Sequence, residues 1–459
     1  MVTYQDLLEV SEARDSVRAE FVRSIIHDRK QSVAYKTAKI ADDYNRNRNT
    51  TIMNYQKTIT TVTGEIIPDR YSATHRSTSN FFQIFTTQLN QYLLGNGANF
   101  GKSDTKDKLG VDFDVRLQEA GKDALCGGCS FGFWNLDHLE VYSMLEFAPL
   151  YDEENGALAA GVRFWQIDST RPLRATLMEM DGYTNYLWST TFTPSDQWTR
   201  IDDGVYMIPK RPYIQKIQES EADGTEIYDG ENYEAFPVVP LWGNPMHQSE
   251  IIGLREKIDA YDFILNGFED DLDNAQLYWI IQGAGGMDDP DLMQFLERLK
   301  TVRAAAPADG QSISPVQVEI PHDARERLLD RLEKVMYRDA MIMNPDDIAG
   351  GAATATQIRA AYERQNVKAD QYEYCVLDFL YGIMKIAGID DKPTFDRSLI
   401  VNTQEEIQTI VASASYLPKE YVTKKILSLL GDADKVEEVM TQIDGEDAER
   451  LDFGADMNG

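Results

Sequence analysis

The spacing of hydrophobic residues changes along the chain and separates three kinds of region. Residues 1–56 have the apolar periodicity that is typical of helices. From about residue 58 to residue 241, short runs rich in Val, Ile, Thr and aromatic residues predict strands, with turn residues between them. From about residue 250, apolar residues recur at helical spacing in several long stretches. We therefore expect a mixed α+β protein whose strands are mostly antiparallel.

The strand-rich region also contains a predicted hairpin and two predicted helices. Apolar residues from Leu145 to Leu150, a polar turn that ends at Gly156 and the run that begins at Val162 predict a β-hairpin. The predicted strands are 58–67, 139–148, 162–168, 173–180 and 213–218, and the predicted helices are 81–94 and 111–125.

A proline-rich segment at 236–245 closes this region. Proline fixes φ and removes a backbone donor, and it disfavours the helical conformation in the residue before it. We expect the segment to be extended and to mark a domain boundary.

The most informative helix begins near residue 250. Its apolar residues are alternately three and four positions apart, which is the heptad pattern of a helix that packs along one seam. The helix is predicted to run to Gln282, which at 1.5 Å per residue makes it about 45 Å long and typical of a strut. The seam consists of Ile251, Leu254, Ile258, Tyr261, Leu265, Phe268, Leu272 and Ala275.

The same helix carries a second, acidic stripe. The stripe consists of Asp259, Asp262, Asn266, Glu269 and Asp273, with Asp270 and Asp271 beside it. Like charges three or four positions apart destabilise a helix, so the stripe needs a reason. Either a basic surface of a neighbour covers it, or it lines a passage for a polyanion that must not bind. On the second interpretation, lysines in place of its four acids, Asp259, Asp262, Glu269 and Asp273, would leave folding intact and stall the polyanion.

The chain beyond this helix alternates between helices and breaks. A glycine-rich end at 283–286 is followed by a compact stretch up to residue 321, with one short helix and a strand at 316–320. Helices are predicted at 322–343 and 354–387, and a flexible break at 344–353 separates them. The part from residue 404 is helical and ends in an acidic tail. The residues that helix 322–343 is expected to bury are Leu328, Leu329, Leu332, Val335 and Met336.

The charge balance narrows the function classes. The chain has 45 Lys and Arg against 76 Asp and Glu, a net charge of −31, so most of its surface would repel nucleic acid and anionic lipid. Residues 1–56 are locally basic, with nine of the 45 Lys and Arg, which either form a solvated face or contact an acidic neighbour, including another copy of this chain. No apolar run approaches about eighteen residues, so we expect no membrane span. Acids appear by Asp6 and Glu9 and no apolar core follows them, so we expect no signal peptide and an intracellular protein.

Three short motifs fail as active sites. Gly95 to Ser103 resembles a phosphate-binding loop, but Asn96 occupies the position of its first glycine and a helix precedes it. Cys126-Gly-Gly-Cys129 lacks a redox context and further zinc ligands, and with only three cysteines no disulfide scaffold is expected. Ser130 stands in a bare G-x-S-x-G string. We therefore assign no catalytic residue, no metal and no cofactor. The five histidines have no helical pairing and are His27, His75, His138, His247 and His322.

Four passages follow one another in a recognisable order. Together they resemble the portal proteins of tailed double-stranded DNA bacteriophages of the Gram-positive siphophage type, over most of residues 60–390. The passages are Gly127-Gly-Cys-Ser-Phe-Gly-Phe-Trp with Leu145-Glu-Phe-Ala-Pro-Leu-Tyr-Asp-Glu-Glu-Asn-Gly, then Phe236-Pro-Val-Val-Pro-Leu-Trp-Gly-Asn-Pro, then Glu250-Ile-Ile-Gly-Leu-Arg-Glu-Lys-Ile-Asp-Ala-Tyr-Asp, and then Asn344-Pro-Asp-Asp-Ile-Ala-Gly-Gly-Ala-Ala-Thr-Ala-Thr-Gln-Ile.

The resemblance implies a ring of about twelve subunits at one capsid vertex, with an axial channel through which DNA enters and leaves. It also implies the portal fold. Its parts would be a helical arm at 1–56, an α/β wing at 57–249, stem helices at 250–282 and 323–343 with a small α/β clip at 283–322 between them, a tunnel loop at 344–353, a long helix returning to the wing at 354–403, and a helical crown with an acidic tail at 404–459.

The resemblance implies two further sets of site residues, in addition to the acidic stripe that the spacing indicated. The tunnel-loop residues that would face DNA are Asn344, Pro345, Asp346, Asp347, Ile348, Gly350 and Gly351. The clip residues that would dock the packaging motor and later the connector are Leu292, Lys300, Arg303, Val316 and Val318.

The implied partners are further copies of the chain, double-stranded DNA in transit, the terminase large subunit, a head–tail adaptor, and the major capsid and scaffolding proteins, with no membrane. ATP hydrolysis would belong to a separate motor, so no enzyme is expected. The protein would lie at the portal vertex of the virion, and in the host cytoplasm during assembly. Two alternatives remain at this stage: an acidic intracellular hydrolase that uses paired carboxylates, and another ring-forming scaffold protein.

Overall fold

The computed structural model describes residues 2–60, 64–69, 72–195, 197–219, 226–274, 279–282, 312–315, 322–347, 355–397, 403–430, 436 and 439–443. The chain divides into two compact units. One unit comprises Met1–Ile342 and Lys368–Arg397, and the other comprises Met343–Val367 and Ser398–Gly459. Helices and antiparallel strands occur together in the first unit, which confirms the predicted α+β class.

The first unit begins with four helices, as predicted for residues 1–56. Side chains define where they begin. The hydroxyl of Thr3 accepts a hydrogen bond from the Asp6 amide, and the Asp6 carboxylate accepts one from the Thr3 amide at 2.9 Å, forming a capping box. Ser32 is extended, which ends the second helix, and its hydroxyl accepts a bond from the Tyr35 amide at 3.2 Å to begin the third. The helices are α1 (Tyr4–Glu9), α2 (Asp15–Gln31), α3 (Val33–Asn45) and α4 (Thr50–Met53).

Most of the sheet structure follows these helices. The elements are β1 (Thr58–Thr60), β2 (Ile66–Pro68), α5 (Phe81–Leu94), β3 (Ala98–Asn99), α6 (Thr105–Leu109), α7 (Phe113–Gly127), β4 (Cys129–Asn135), β5 (His138–Ser143), β6 (Phe147–Tyr151), β7 (Leu158–Trp165), β8 (Leu173–Glu179), β9 (Gly182–Trp188), β10 (Thr199–Asp202), β11 (Val205–Arg211), β12 (Ile214–Glu219), β13 (Glu226–Glu231) and β14 (Val238–Trp242).

A six-stranded antiparallel sheet, in the order β10-β11-β9-β8-β7-β6, forms the centre of this region. Its alternating buried residues pack against α2, whose buried face includes Val22, Ile25 and Ile26. The predicted hairpin is confirmed, because Ala148 in β6 pairs with Val162 in β7. The strand predicted at 139–148 is instead two strands, β5 and β6, since the backbone turns where Glu146 N donates to Ser143 O. Similarly, 58–67 forms a hairpin of β1 and β2.

A three-stranded sheet, β14-β4-β5, lies beside α7. The extended conformation predicted for the proline-rich segment is confirmed, because residues 238–242 form β14, an edge strand of this sheet that tolerates Pro240. Hydrogen bonds to β4 join this strand to the first compact unit, which continues to Ile342. Gly128 ends α7 at a φ of 91°, a conformation that side chains rarely adopt.

The long helices follow. They are α8 (Arg255–Asn274), α9 (His322–Ala340) and α10 (Ala355–Ile386), and the strands β15 (Trp279–Gln282) and β16 (Ser312–Pro315) pair with each other between α8 and α9. The helix predicted to reach Gln282 therefore ends at Asn274, since residues 279–282 form a strand instead. The strand predicted at 316–320 lies outside the described residues, whereas the predicted helix at 354–387 matches α10 within one residue at each end.

The C-terminal half of α10 supplies part of the first unit's core. Tyr372, Phe379 and Ile383 are fully buried, and the Tyr372 hydroxyl donates to Asn90 Oδ1 at 3.0 Å. Position 132 in β4 requires glycine, because a Cβ there would lie 2.5 Å from the Phe379 ring. β17 (Thr394–Phe395) then pairs with β3, which returns the chain to the loop after α5.

The second unit is helical where it is described. A 3-10 turn (Pro345–Asp347) precedes the first part of α10, and α11 (Thr403–Ser413), a 3-10 turn (Ala414–Tyr416) and α12 (Lys419–Leu430) follow residue 402. This agrees with the helical prediction from residue 404. Within the unit, the Gln365 side-chain oxygen accepts a hydrogen bond from the Met343 amide at 3.0 Å, which ties the start of the break to α10.

Candidate functional site

The acidic stripe of α8 faces the chain's own segment from Tyr44 to Ser79. Asp262 lies at the centre of the stripe and is 0% exposed. Its two carboxylate oxygens accept hydrogen bonds from Asn49 Nδ2 at 2.8 Å and from the Ser79 amide at 3.1 Å. Tyr44 donates its hydroxyl proton to Asp259, one turn earlier. Because Asn49 also caps α4 through its side-chain oxygen, the stripe and the N-terminal helices form one polar network.

The network continues towards the end of α8. Asn266 is buried and exchanges two hydrogen bonds with the backbone of Ser77, at 2.6 and 2.9 Å. Asp270 accepts bonds from the His75 amide and ring, both at 2.7 Å, and pairs with Lys57 Nζ at 2.6 Å. The His75 ring also lies 3.4 Å from a carboxylate oxygen of Asp273. Residues 75–79 therefore lie along the stripe like a strap.

These contacts set the protonation of the stripe. Burial raises the pKa of Asp262, although hydrogen bonds from Ser79 and Asn49 oppose that shift. Burial also acts to raise the pKa of Asp270, but the bonds from Lys57 and His75 outweigh it, so that pKa is lowered. The hydrogen bond to Asp270 raises the pKa of His75.

The stripe is therefore an internal contact, and its interpretation as a lining of a polyanion passage is wrong for Asp259, Asp262 and Asn266. A neighbour does cover the stripe, as the other interpretation held, but the neighbour belongs to the same chain. It offers amides, hydroxyls and an asparagine, with Lys57 and His75 as its cations, in place of a uniformly basic face. Glu269 is partly exposed, and Asp273, with its side chain 64% exposed, is the member most open to solvent.

α8 and α9 pack against each other through both charges and rings. Lys257 pairs with Asp339 at 3.3 Å near one end of α9, and Arg325 pairs with Asp271 near the other. The ring of Phe268 contacts His322 edge-on at 5.2 Å. Leu328 was predicted to be buried but is 44% exposed, whereas Leu329 and Leu332 are partly buried.

The other predicted site residues are only partly described. In the predicted tunnel loop, Asn344 is buried and its Oδ1 accepts a hydrogen bond from the Asp346 amide at 3.1 Å, while Pro345 and Asp346 are exposed. Asp347 ends the 3-10 turn. Outside the described residues lie Ile348, Gly350 and Gly351 of this loop and the clip residues Leu292, Lys300, Arg303, Val316 and Val318.

The loop that resembles a phosphate-binding motif holds a carboxylate of the same chain. The Asp391 carboxylate accepts bonds from the amides of Gly101 and Lys102, at 3.0 and 2.9 Å, and from the Thr105 hydroxyl at 2.6 Å. These donors, Thr105 first, lower the pKa of Asp391 to about 2. The loop thus binds an anion through backbone amides and a hydroxyl. The anion is a carboxylate of the same chain, and the contact holds the segment before β17 next to the loop after β3.

The remaining motifs take structural roles. Cys126 and Cys129 are buried free thiols whose pKa values are raised by burial. Ser130 is buried inside a strand and donates to the Ala120 carbonyl at 2.7 Å, so it is not a nucleophile on a turn. His247 stacks on Trp242 with 3.9 Å between ring centroids. Within the described part of the chain, no group of three or more acidic, His or Cys side chains could hold a metal ion. No described helix is long and apolar enough to cross a membrane.

Sequence reasoning missed one residue of chemical interest, Arg29. It is only 6% exposed and lies on the buried face of α2 with Val22, Ile25 and Ile26. A signal was available, because position 29 lies three, four and seven residues after these apolar positions and so on the same helix face.

Comparison with known proteins places the chain in a class, the phage portal proteins. Residues 20–451 match the family described as "Phage portal protein, SPP1 Gp6-like". The chain belongs to this family, which confirms the resemblance of its four passages.

Two curated relatives are portal proteins. That of Clostridium phage phiCD119 is 25% identical over 203 residues, covering 42% of this chain and 45% of the relative. That of Bacillus phage SPP1 is 22% identical over 384 residues, covering 76% of this chain and 72% of the relative. The alignment therefore spans less than half of the clostridial relative.

Solved structures with a similar chain trace include the neck of an empty GTA particle, with a TM-score of 0.40 and 11% identity, covering 76% of this chain and 90% of that one. A portal protein of the HK97 family from Corynebacterium diphtheriae has a TM-score of 0.34 and 11% identity, covering 71% of this chain and 96% of the other.

Proposed function

We propose that this portal protein forms a ring, of about twelve copies, at one vertex of a phage capsid, and that DNA passes through the axial channel during packaging and ejection. The observation that carries the proposal is the match to the portal family over residues 20–451. In this role the ring is a conduit and an assembly platform, and a separate motor supplies ATP hydrolysis.

The proposed ring needs contacts between copies, and the first unit offers candidates. α10 carries Tyr374 and Tyr381 seven positions apart on one face, 73% and 47% exposed, and α8 carries Phe263 and Leu272, 37% and 47% exposed. Burying large apolar side chains is favourable, at about 25 cal/mol per Å² of apolar area. These four residues are candidates for burial between subunits.

The surface open to DNA would differ from the acidic stripe. Because the strap covers the stripe, the exposed face of α9 becomes the candidate for the stem lining. The exposed charged residues of α9 are acids and bases in equal number, four of each, so a channel lined by this helix would be mixed in charge and not a uniformly repulsive sleeve. The residues are Asp323, Glu326, Arg327, Asp330, Arg331, Lys334, Arg338 and Asp339.

The remaining partners follow from the same proposal. The clip at 283–322 would dock the terminase large subunit and later the head–tail adaptor, and the outer parts of the ring would contact the major capsid and scaffolding proteins. The tunnel loop at 344–353 would face DNA. The protein would be located at the portal vertex of the virion, after assembly in the host cytoplasm.

The first experiment measures the mass of the purified full-length protein by light scattering, and electron microscopy then images the same peak. We expect a particle of about twelve subunits with a central hole wide enough for duplex DNA. A monomer at every salt and protein concentration would contradict the proposal. A ring without an axial channel would support the alternative of a different scaffold.

The second experiment tests the tunnel loop. Deleting residues 346–351 should leave ring formation unchanged and reduce DNA packaging, measured as nuclease-protected DNA in assembled heads. A matched control deletes a turn of similar size in the wing, residues 153–156, which lies between β6 and β7. If the loop variant forms no rings, the segment is part of the ring contact and not a tunnel loop.

A further inference from the structure

A cavity of about 400 Å³ opens between α2 and the edge strand β6. Its apolar wall comes from Val2, Ile25 and three residues of β6, Ala148, Pro149 and Leu150. Arg29 lines the same cavity. Ligand pockets in proteins have volumes of roughly 300–1,000 Å³, so this cavity has room for several non-hydrogen atoms besides water.

The Arg29 side chain is 6% exposed and lacks an anionic partner. Its Nη2 donates to the Met144 carbonyl at 3.3 Å and also contacts the Met144 sulfur, and its Nε is buried with no acceptor. In the part of the chain that the structure describes, no carboxylate lies within 4.0 Å of the guanidinium. The ionisable groups that interact with it are Cys129, Tyr151 and Tyr35, which are neutral near pH 7, and burial lowers the pKa of Arg29.

An unpaired buried charge is costly, and buried charges are therefore normally paired or hydrogen-bonded. The chain has 76 acidic residues against 45 basic ones, yet the described residues place no carboxylate within ion-pair distance of this guanidinium. The chain elsewhere satisfies its buried acids, as Asp262 and Asp270 show. The described part of the chain therefore supplies no carboxylate partner for Arg29.

We propose that the cavity beside Arg29 is a binding site for one carboxylate. The single positive charge of a guanidinium matches the single negative charge of a carboxylate. The planar arrangement of its N–H donors also fits the two oxygens of a carboxylate. The apolar wall of β6 suits the short aliphatic stem of such an acid. The polar groups at the cavity are Gln31 and Ser32, together with the exposed Asp28, which would disfavour a dianion such as phosphate.

The carboxylate has two sources that the site itself does not distinguish. It is either a free small organic acid or the side chain of Asp or Glu on a second copy of this acidic chain. The second source rests on the proposed ring, whereas the first does not. Both place the same group against the same guanidinium.

The test uses the full-length protein and sodium acetate as the probe. The unfolding temperature is followed as acetate replaces chloride at constant ionic strength, up to ~100 mM, since a ligand that binds the folded state stabilises it in proportion to RT ln(1 + [L]/Kd). We expect a saturable rise of about 2 °C or more. Arg29→Met should abolish the rise, and Arg23→Met, at an exposed arginine of the same helix, should keep it.

Two outcomes overturn the site: acetate and chloride acting alike on the wild type, or Arg29→Met keeping the acetate response. The first comparison needs no variant, so it holds even if Arg29→Met fails to fold. The source is then decided by sedimentation velocity. Acetate that lowers the assembled mass assigns the carboxylate to a second copy, and an unchanged mass assigns it to a free acid. If the protein forms no rings, the proposed function fails, but the acetate titration still tests the site because it measures the unfolding temperature and not assembly.

Discussion

Two regions of the first unit bury charge in opposite ways. On α8, every strongly buried polar group of the acidic stripe has donors from the strap or the N-terminal helices, as Asp262 has from Asn49 and Ser79. On α2, Arg29 is nearly as buried, donates to the carbonyl and the sulfur of Met144, and has no acid beside it among the described residues. The hydrogen bonds of the buried acids are satisfied within the chain, so we interpret these acids as structural. The Arg29 guanidinium has a buried Nε without an acceptor, so we interpret this arginine as a binding group.

The difference shows why a charge pattern alone does not reveal what faces a ligand. The charges of the acidic stripe share one sign, which suggested a functional surface, yet hydrogen bonds from backbone amides stabilise two of its carboxylates inside the fold. The helical spacing of Arg29 from Val22, Ile25 and Ile26 indicates a buried arginine, but it does not show whether a carboxylate lies beside it. In both regions the decisive fact is the presence or absence of a hydrogen-bonding partner.

The largest effect is expected when the stripe is reversed in charge. Lysines at Asp259, Asp262, Glu269 and Asp273 were predicted from the sequence to leave folding intact. With Asp262 buried, the change would place an unpaired ammonium in the interior, so we expect loss of the folded state, measured by circular dichroism and by size-exclusion chromatography. Asp273→Lys alone, at an exposed position, is the control and should fold normally. Normal folding of the fourfold variant would contradict the burial of Asp262 and support the interpretation of the stripe as an exposed surface.

A smaller effect is expected for Asp262→Ala. The change leaves Asn49 Nδ2 and the Ser79 amide without an acceptor, and an unsatisfied buried donor costs about 1–3 kcal/mol. We expect the free energy of unfolding, measured by urea denaturation, to fall by about 2–4 kcal/mol in total. Asp273→Ala should change it by less than about 0.5 kcal/mol. Equal effects of the two changes would show that the strap does not depend on Asp262.

The exposed counterpart of these acids is Asp391, held by the amides of Gly101 and Lys102. Its pKa is lowered to about 2, so its stabilising contribution is present above the unfolded value near 3.8 and disappears as the pH falls through about 2. Asp391→Asn should therefore unfold at a lower temperature than the wild type at pH 7, with the gap closing below about pH 4. A gap that is constant from pH 7 to pH 3 would mean that the charge of Asp391 contributes nothing.

Much of the fold could be predicted from the sequence because local patterns decide it. The helix 81–94 matches α5 at both ends, and the hairpin of β6 and β7 follows from alternation and a polar turn. Glycine, capping residues and periodicity act within a few residues. Errors occurred where a distant segment decides the outcome. The helix predicted to reach Gln282 ends at Asn274, and residues 279–282 pair instead with a strand some thirty residues later.

The site was harder to predict because its partners are far apart in sequence. Asn49, His75 and Ser79 lie about two hundred positions before the acids that they contact, and Asp391 lies nearly three hundred after the loop that binds it. Nothing in the spacing of the stripe indicates those partners. The family could still be identified from the sequence, because the order of the four passages is a property of the whole chain and does not depend on knowing any individual contact.

The smallest expected effect concerns His75, which joins the end of the strap to Asp270 and Asp273. Its pKa is raised, first by the hydrogen bond to Asp270, so its charged form stabilises the fold fully below the unfolded value of about 6.5 and this contribution is lost as the pH rises through the folded value. His75→Gln should thus lower the unfolding temperature more at pH 6 than at pH 8.5. His138→Gln, at an exposed histidine beside Asp137, is the matched control. A His75→Gln effect that is the same at both pH values would assign the histidine a purely packing role, and the strap would then be held by the hydrogen bonds of its backbone and of Ser77.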